Sequence, residues 1–221
     1  MGFIVAIDGP AGSGKGTITK IIAEKRNLVS IDTGAMYRCV ALDCLENKVE
    51  PTDIEGIERI LKDIDIKLEN KNGIQKVFLN GKDVSEQIRT QKIDEVVAKY
   101  AAIKQVRDKV TPIQRKMGES QNIIMEGRDI GTVVFPNADV KIFLDCSLEE
   151  RANRRYKQDI EKGMKVTYEE VLESIKERNK LETERKIAPF VKAKDAILVD
   201  TTHLSIEEVV NEILKIIDTF K

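Results

Sequence analysis

The sequence predicts an α/β fold: a five-stranded parallel sheet flanked by helices, plus an inserted small antiparallel β lobe. Short continuous apolar runs alternate with longer amphipathic stretches. A glycine-rich turn directly follows the first of those runs. A single segment, 64–84, switches to an apolar period of two.

The runs 3–7, 28–31, 123–125, 140–144 and 197–199 are continuous and often β-branched, as strands buried on both faces are. After the first run, Ile18, Ile21 and Ile22 fall on one helical face. Ser147 with Glu150, Thr167 with Glu170 and Ser205 with Glu208 have the spacing of capping boxes and open later helices. The last helix carries Val209, Val210, Ile213, Leu214 and Ile217 on a wide apolar face. Between the second and third runs, Ile64, Ile66, Leu68, Val77 and Leu79 alternate. There Asn72-Gly73 and Asn80-Gly81 supply hairpin turns. This meander is too small to fold alone. It is expected to belong to an inserted lobe, 52–91, with 1–51 and 92–221 forming the core domain. The charge-rich stretch 151–165, with Gly163, reads as irregular and suits a short lid.

The chain has 221 residues, 41% hydrophobic and 34% charged, which suits a globular chain rather than a disordered one. Lys and Arg number 37 against 38 Asp and Glu, a formal net charge of −1. That balance argues against a protein that coats a nucleic-acid polymer. Three cysteines (Cys39, Cys44, Cys146) and one histidine (His203) have no metal-ligand spacing, and the thiols read as reduced. The first apolar run is too short for a signal-peptide core, and no stretch has the length of a membrane span. A cytoplasmic monomer without membrane attachment is expected.

The strongest motif is Gly9-Pro10-Ala11-Gly12-Ser13-Gly14-Lys15-Gly16-Thr17. It lies between a predicted strand and a predicted helix, the context a phosphate-binding P-loop requires. Its glycines let backbone N–H groups turn inward, and the following helix aims its positive end at the same point. Lys15 is within reach of β- and γ-phosphates, and the Thr17 hydroxyl is placed for Mg²⁺. Gly16 stands where the strict pattern has Ser or Thr, a variant associated with nucleoside monophosphate kinases. Guanine reading would need Asn-Lys-x-Asp. Asn47-Lys48-Val49-Glu50 and Asn179-Lys180-Leu181-Glu182 both end in Glu. Motor and transporter ATPases are normally longer. A small kinase remains, moving the γ-phosphoryl of a nucleotide to a small acceptor.

Such a kinase needs several arginines from separate segments, because its catalysis rests on positioning and cationic stabilisation. Arg38 and Arg128 follow predicted strands, where ligands bind in open α/β sheets. Arg107, and Arg178 with Arg185, come from two further segments. Spacing alone does not separate Arg107 from a surface residue, nor Arg151, Arg154 and Arg155 from the polar face of a helix. Glu126 fits either a carboxylate holding Mg²⁺ through water or the polar end of a buried strand.

Four stretches resemble the bacterial-type cytidylate kinases: 7–17, Asp32-Thr33-Gly34-Ala35-Met36-Tyr37-Arg38, the run GRDIGTVVFP at 127–136, and Lys176-Glu177-Arg178 followed by Arg185 and Ile187-Ala188-Pro189. The resemblance covers essentially the whole chain. It implies a P-loop NTPase core with an enlarged monophosphate-binding lobe and a short lid. The reaction it implies is phosphoryl transfer from Mg·ATP to CMP or dCMP. It also implies that Arg38, Arg128 and Arg178 hold the acceptor phosphate with Arg185, beside Thr33 and Tyr37. Arg107 and Asp129 would read the cytosine edge, and Glu182 would face the ribose. Residues 9–17 would cradle ATP, with Lys15, Arg38, Arg128 and Arg154 catalytic and Arg151 and Arg155 at the lid over the ATP phosphates. Thr33 stands where Ser is expected, Ala98 where a base-contacting Ser is expected, and Glu182 where a shorter Asp is expected. Two other readings use the same loop: a P-loop kinase with another small acceptor, and a nucleotide-dependent switch protein.

Overall fold

The computed structural model describes residues 2–71, 74–119 and 121–220. Its main sheet is parallel and contains β1 (Ile4–Asp8), β2 (Val29–Asp32), β6 (Ile123–Gly127), β7 (Val140–Asp145) and β8 (Ile197–Asp200). Their spatial order is β2-β6-β1-β7-β8. The chain leaves β1 towards one edge and later returns past it to the other. β1 therefore lies beside the crevice where open α/β sheets bind ligands.

All five runs read from the sequence are strands, and each runs one or two residues further at its C-terminal end. The additions are Asp8, Asp32, Glu126 with Gly127, Asp145 and Asp200. An apolar run stops at the first polar residue, whereas ladder pairing does not depend on the side chain. Asp8 pairs in register with Gly127, and Asp32 with Glu126. The polar extensions therefore carry carboxylates to the ligand-binding end of the sheet.

Alternation along β1 serves both faces. Val5 and Ile7 pack with α1 (Lys15–Arg26) and α8 (Ile206–Asp218) through Ile18, Ile22, Ile213 and Ile217. Ile4 and Ala6 pack with Ile31, Ile123 and Met125 under Ile130, Val134 and Phe135.

A second core lies beside the sheet. It joins α2 (Gly34–Glu46), α3 (Ile54–Asp63), α4 (Gln91–Ala101) and α5 (Lys104–Met117) to the antiparallel strands β3 (Ile66–Lys71) and β4 (Ile74–Leu79), with the exposed β5 (Lys82–Asp83) paired to β4 at the edge. Asn80 and Gly81, at φ 50° and 82°, close the β4–β5 turn as the sequence predicts. The Asn72-Gly73 turn lies outside the described residues.

The stretch 151–165 is not irregular along its length: α6 runs over Leu148–Glu161. Arg154–Glu150 and Arg155–Asp159 pairs at i,i+4 spacing support it. Its cap is half a box. Ser147 accepts from the Glu150 N–H, but the Glu150 carboxylate is taken by Arg154. Thr167–Glu170 and Ser205–Glu208 form complete boxes, at the starts of α7 (Tyr168–Glu184) and α8.

Candidate active site

The turn after β1 is shaped by glycine. Gly12 and Gly14 adopt φ of 81° and 87°. A Cβ on Gly9 would stand 2.3 Å from the Leu144 carbonyl oxygen of β7, so the loop leaves the sheet only through a residue without a side chain. α1 begins at Lys15 with no acidic residue in its first turn, leaving its positive end open to an anion. The buried Lys15 ammonium donates to the carbonyls of Gly9 and Pro10, both at 2.7 Å, and to Ser13 Oγ at 3.2 Å. Burial, then the charge of Arg128, pushes this ammonium well below the ordinary lysine range. Glu126 opposes that shift, and burial together with Asp32 pushes the Glu126 carboxyl up.

Beyond β6 the chain makes one wide turn, Ile130–Val134, closed by Val134 N–H to Asp129 O and Phe135 N–H to Ile130 O across five residues. The carboxylate capping this turn is not Asp129 but Asp8, which accepts from the N–H groups of Ile130 and Gly131, both at 2.8 Å. Burial raises Asp8 to about 6 against the lowering effect of those two bonds. The Asp129 side chain is thereby left for Arg107, its ion-pair partner, and for Arg185, whose Nη2 lies 3.6 Å from Asp129 Oδ1. Arg107 also stacks over the Tyr37 ring at 5.3 Å. Thr33 donates its hydroxyl proton to the Glu126 carbonyl at 2.7 Å, joining the ends of β2 and β6.

Glu182 of α7 is buried and bridges two arginines: Arg128 Nε donates to it at 2.7 Å and Arg178 Nε at 3.0 Å. Burial alone would raise this carboxyl, but Arg128 and Arg178 hold it down at about 2. The residue expected to face a ribose thus has one oxygen on each of two guanidinium groups.

One cavity is lined by all nine residues expected on the acceptor side: Thr33, Tyr37, Arg38, Arg107, Arg128, Asp129, Arg178, Glu182 and Arg185. Lys15, Asp32, Glu126, Ala98 and neighbouring small residues complete it. Six cations (Lys15, Arg38, Arg107, Arg128, Arg178, Arg185) face four carboxylates (Asp32, Glu126, Asp129, Glu182), a surplus that suits an anion.

The other side of the phosphate loop borders a second cavity, lined by Gly12, Ser13, Gly14 and Thr17, by Arg154 and Lys157 of α6, and by Thr201, Leu204, Ser205 and Ile206. Arg154 Nη2 donates to Thr201 O at 2.7 Å. Arg151 is tied to the loop through Ala11 O at 3.5 Å and to α7 through Asn179 Oδ1 at 3.1 Å. Arg155 turns the other way, to Asp94 and Asp159. Sequence reasoning singled out neither the 201–206 lining nor Asp8. Asp8 carried one signal, a charged residue closing an apolar strand; residues 201–206 carried only the Ser205–Glu208 capping box, which marks a helix start and points to no ligand.

The sequence profile of the family described as "Cytidylate kinase" matches residues 5–219. The cytidylate kinase of Fusobacterium nucleatum is 52% identical over 218 residues, covering 99% of this chain and 98% of that protein. That of Bacillus subtilis is 48% identical over 214 residues, covering 97% and 96%. A crystal structure of an uncharacterized protein from Eubacterium ventriosum shares the fold at a TM-score of 0.54 with 14% identity, covering 98% of this chain and 99% of that one. With the match spanning nearly every residue and both cavities, the chain belongs to the cytidylate kinase family.

Proposed function

We infer that the chain transfers the γ-phosphoryl group of ATP to CMP or dCMP, giving ADP and CDP or dCDP. The observation that carries this reading is one cavity in which Lys15 of the phosphate loop, arginines from separate segments and the Asp129 carboxylate converge. Phosphoryl transfer asks the protein mainly to position two nucleotides and to balance charge on the moving group. The donor triphosphate lies along the loop N–H groups and the start of α1, its terminal phosphates meeting Lys15. Anionic oxygens beside Lys15 favour its charged form against the burial that lowers it. Arg38, Arg128 and Arg178 hold the acceptor phosphate, the latter two aimed by Glu182.

Asp129 accepts from the exocyclic amine of cytosine, a donor that uracil lacks. Arg185 Nη2, buried with no hydrogen-bond partner among the described residues, supplies a donor beside it. The second cavity seats the base and ribose of ATP between α6 and the 201–206 turn. The Thr17 hydroxyl is a hard oxygen donor of the kind Mg²⁺ takes alongside phosphates, and so is the Glu126 carboxylate, whose Oε1 lies 3.3 Å from where a Cβ on Gly16 would stand. When bound with ATP, Mg²⁺ neutralises charge across the phosphates. α6, as lid, and the acceptor lobe exclude water from the cleft.

A coupled ADP-release assay with Mg·ATP tests this, with CMP, dCMP, UMP, AMP and GMP offered separately. Strong turnover with CMP and dCMP, with UMP far behind, is expected. Turnover confined to another monophosphate would overturn the cytosine reading of Asp129.

A further inference from the structure

Asp94 lies in the first turn of α4, on the stripe 94, 97, 98, 101, whose other three members line the acceptor cavity. Its two oxygens serve different parts of the molecule. Oδ1 takes Arg38 of α2, which also donates from Nη1 to the Ile88 carbonyl at 3.0 Å. Oδ2 takes Arg155 of α6 at 3.0 Å, and Arg155 is held on its own helix by Asp159 at 2.9 Å. The result is a chain of alternating charge, Arg38–Asp94–Arg155–Asp159, running from the acceptor side to the lid helix. All four side chains are at least two-thirds buried.

We propose that Asp94 is a positioning residue that couples the two nucleotide sites by sharing one carboxylate between Arg38 and Arg155. The proposal rests on the reading of Arg38 as a ligand of the acceptor phosphate and of α6 as the lid. A phosphate dianion at Arg38 competes with Asp94 for that guanidinium. The carboxylate charge it releases falls to Arg155, which draws α6 towards the acceptor lobe. Acceptor binding thereby favours the lid position that covers the donor. Linkage makes the effect reciprocal, so each nucleotide raises affinity for the other.

The test is titration calorimetry of CMP into the full chain, alone and saturated with Mg²⁺ and a non-hydrolysable ATP analogue. For the wild type, CMP is expected to bind at least about fivefold tighter in the presence of the analogue, the lower end of ordinary coupling. Asp94→Asn should bring that ratio to within about twofold of unity, and Asp94→Glu, which keeps the charge, should restore part of it. Arg155→Met, approaching from the lid, should lower the ratio as well, and it carries the test should Asp94→Asn fail to fold. In the double variant the ratio should be no lower than in either single one. A wild-type ratio of one, or a wild-type ratio preserved in Asp94→Asn or Arg155→Met, overturns the proposal. The reading of Arg38 fails separately, if Arg38→Met binds CMP alone as tightly as the wild type.

Discussion

At the scale of single residues, carboxylates carry as much of the site's design as cations do. Asp8 caps the turn after β6 from the neighbouring strand, and this frees Asp129 to face Arg107 and Arg185. If Asp129 reads the base, Asp129→Ala should raise the KM for CMP far more than that for ATP, measured by steady-state kinetics. Equal effects on both would make it a structural residue. Glu182 has a consequence for stability. Its carboxyl is held at about 2 in the fold against an ordinary value of 4.5. The unfolded chain therefore binds the proton more readily between those values, and stability rises with pH across that window. The contribution, on the order of 3 kcal/mol from the size of the shift, is fully present above about pH 4.5 and is lost as pH falls towards 2. Urea unfolding of Glu182→Gln should show a deficit of that order at pH 7 that shrinks below pH 4.5. A deficit independent of pH would mean that the two arginines do not set the carboxyl.

Among elements, the phosphate loop depends on how β1 ends. Gly9 stands against the Leu144 carbonyl, a backbone group committed to the sheet that cannot rotate away as a side chain could. Gly9→Ala should therefore cost about 1–3 kcal/mol in urea unfolding, the ordinary penalty of overpacking. It should also raise the KM for ATP, because the loop can relieve the clash only by moving. An unchanged stability would show that β1 and β7 yield there. Strands and caps were the elements most legible beforehand. The five apolar runs marked the sheet, and two of three capping boxes are complete. The strand ends were not legible, because Asp8, Asp32, Asp145 and Asp200 interrupt hydropathy without interrupting pairing. α6 was misread as irregular because its stabilising pairs, Arg154–Glu150 and Arg155–Asp159, are the same charges that suggested a solvated loop.

Across the whole molecule, a parallel sheet whose central strands are buried on both faces, and whose edge strand β8 buries only Val199, stands beside an antiparallel sheet whose outer strand, β5, is two exposed residues long. β1 is paired on both sides and sealed by the two clusters that flank it. Native-state hydrogen exchange should find the amides of β1 and β6 opening only with global unfolding and those of β4–β5 exchanging sooner. Uniform protection of both sheets would make the molecule a single cooperative unit. The sequence by itself determined the chemistry available: the phosphate loop, the apolar runs that make the strands, and nine acceptor-side residues that line one cavity. The loop and the runs are local, set by spacing along the chain and by hydrophobic periodicity, whereas the roles of the nine residues came from the resemblance of whole stretches to the cytidylate kinases. Tertiary structure alone decided the strand order, the pairing of Glu182 with Arg128, the capping of residues 130–131 by Asp8, and the link from Arg38 through Asp94 to Arg155. These partners lie 54 to 123 residues apart, or, around Asp94, 56 and 61. A charge shows in the sequence, but which opposite charge it meets depends on how the layers stack.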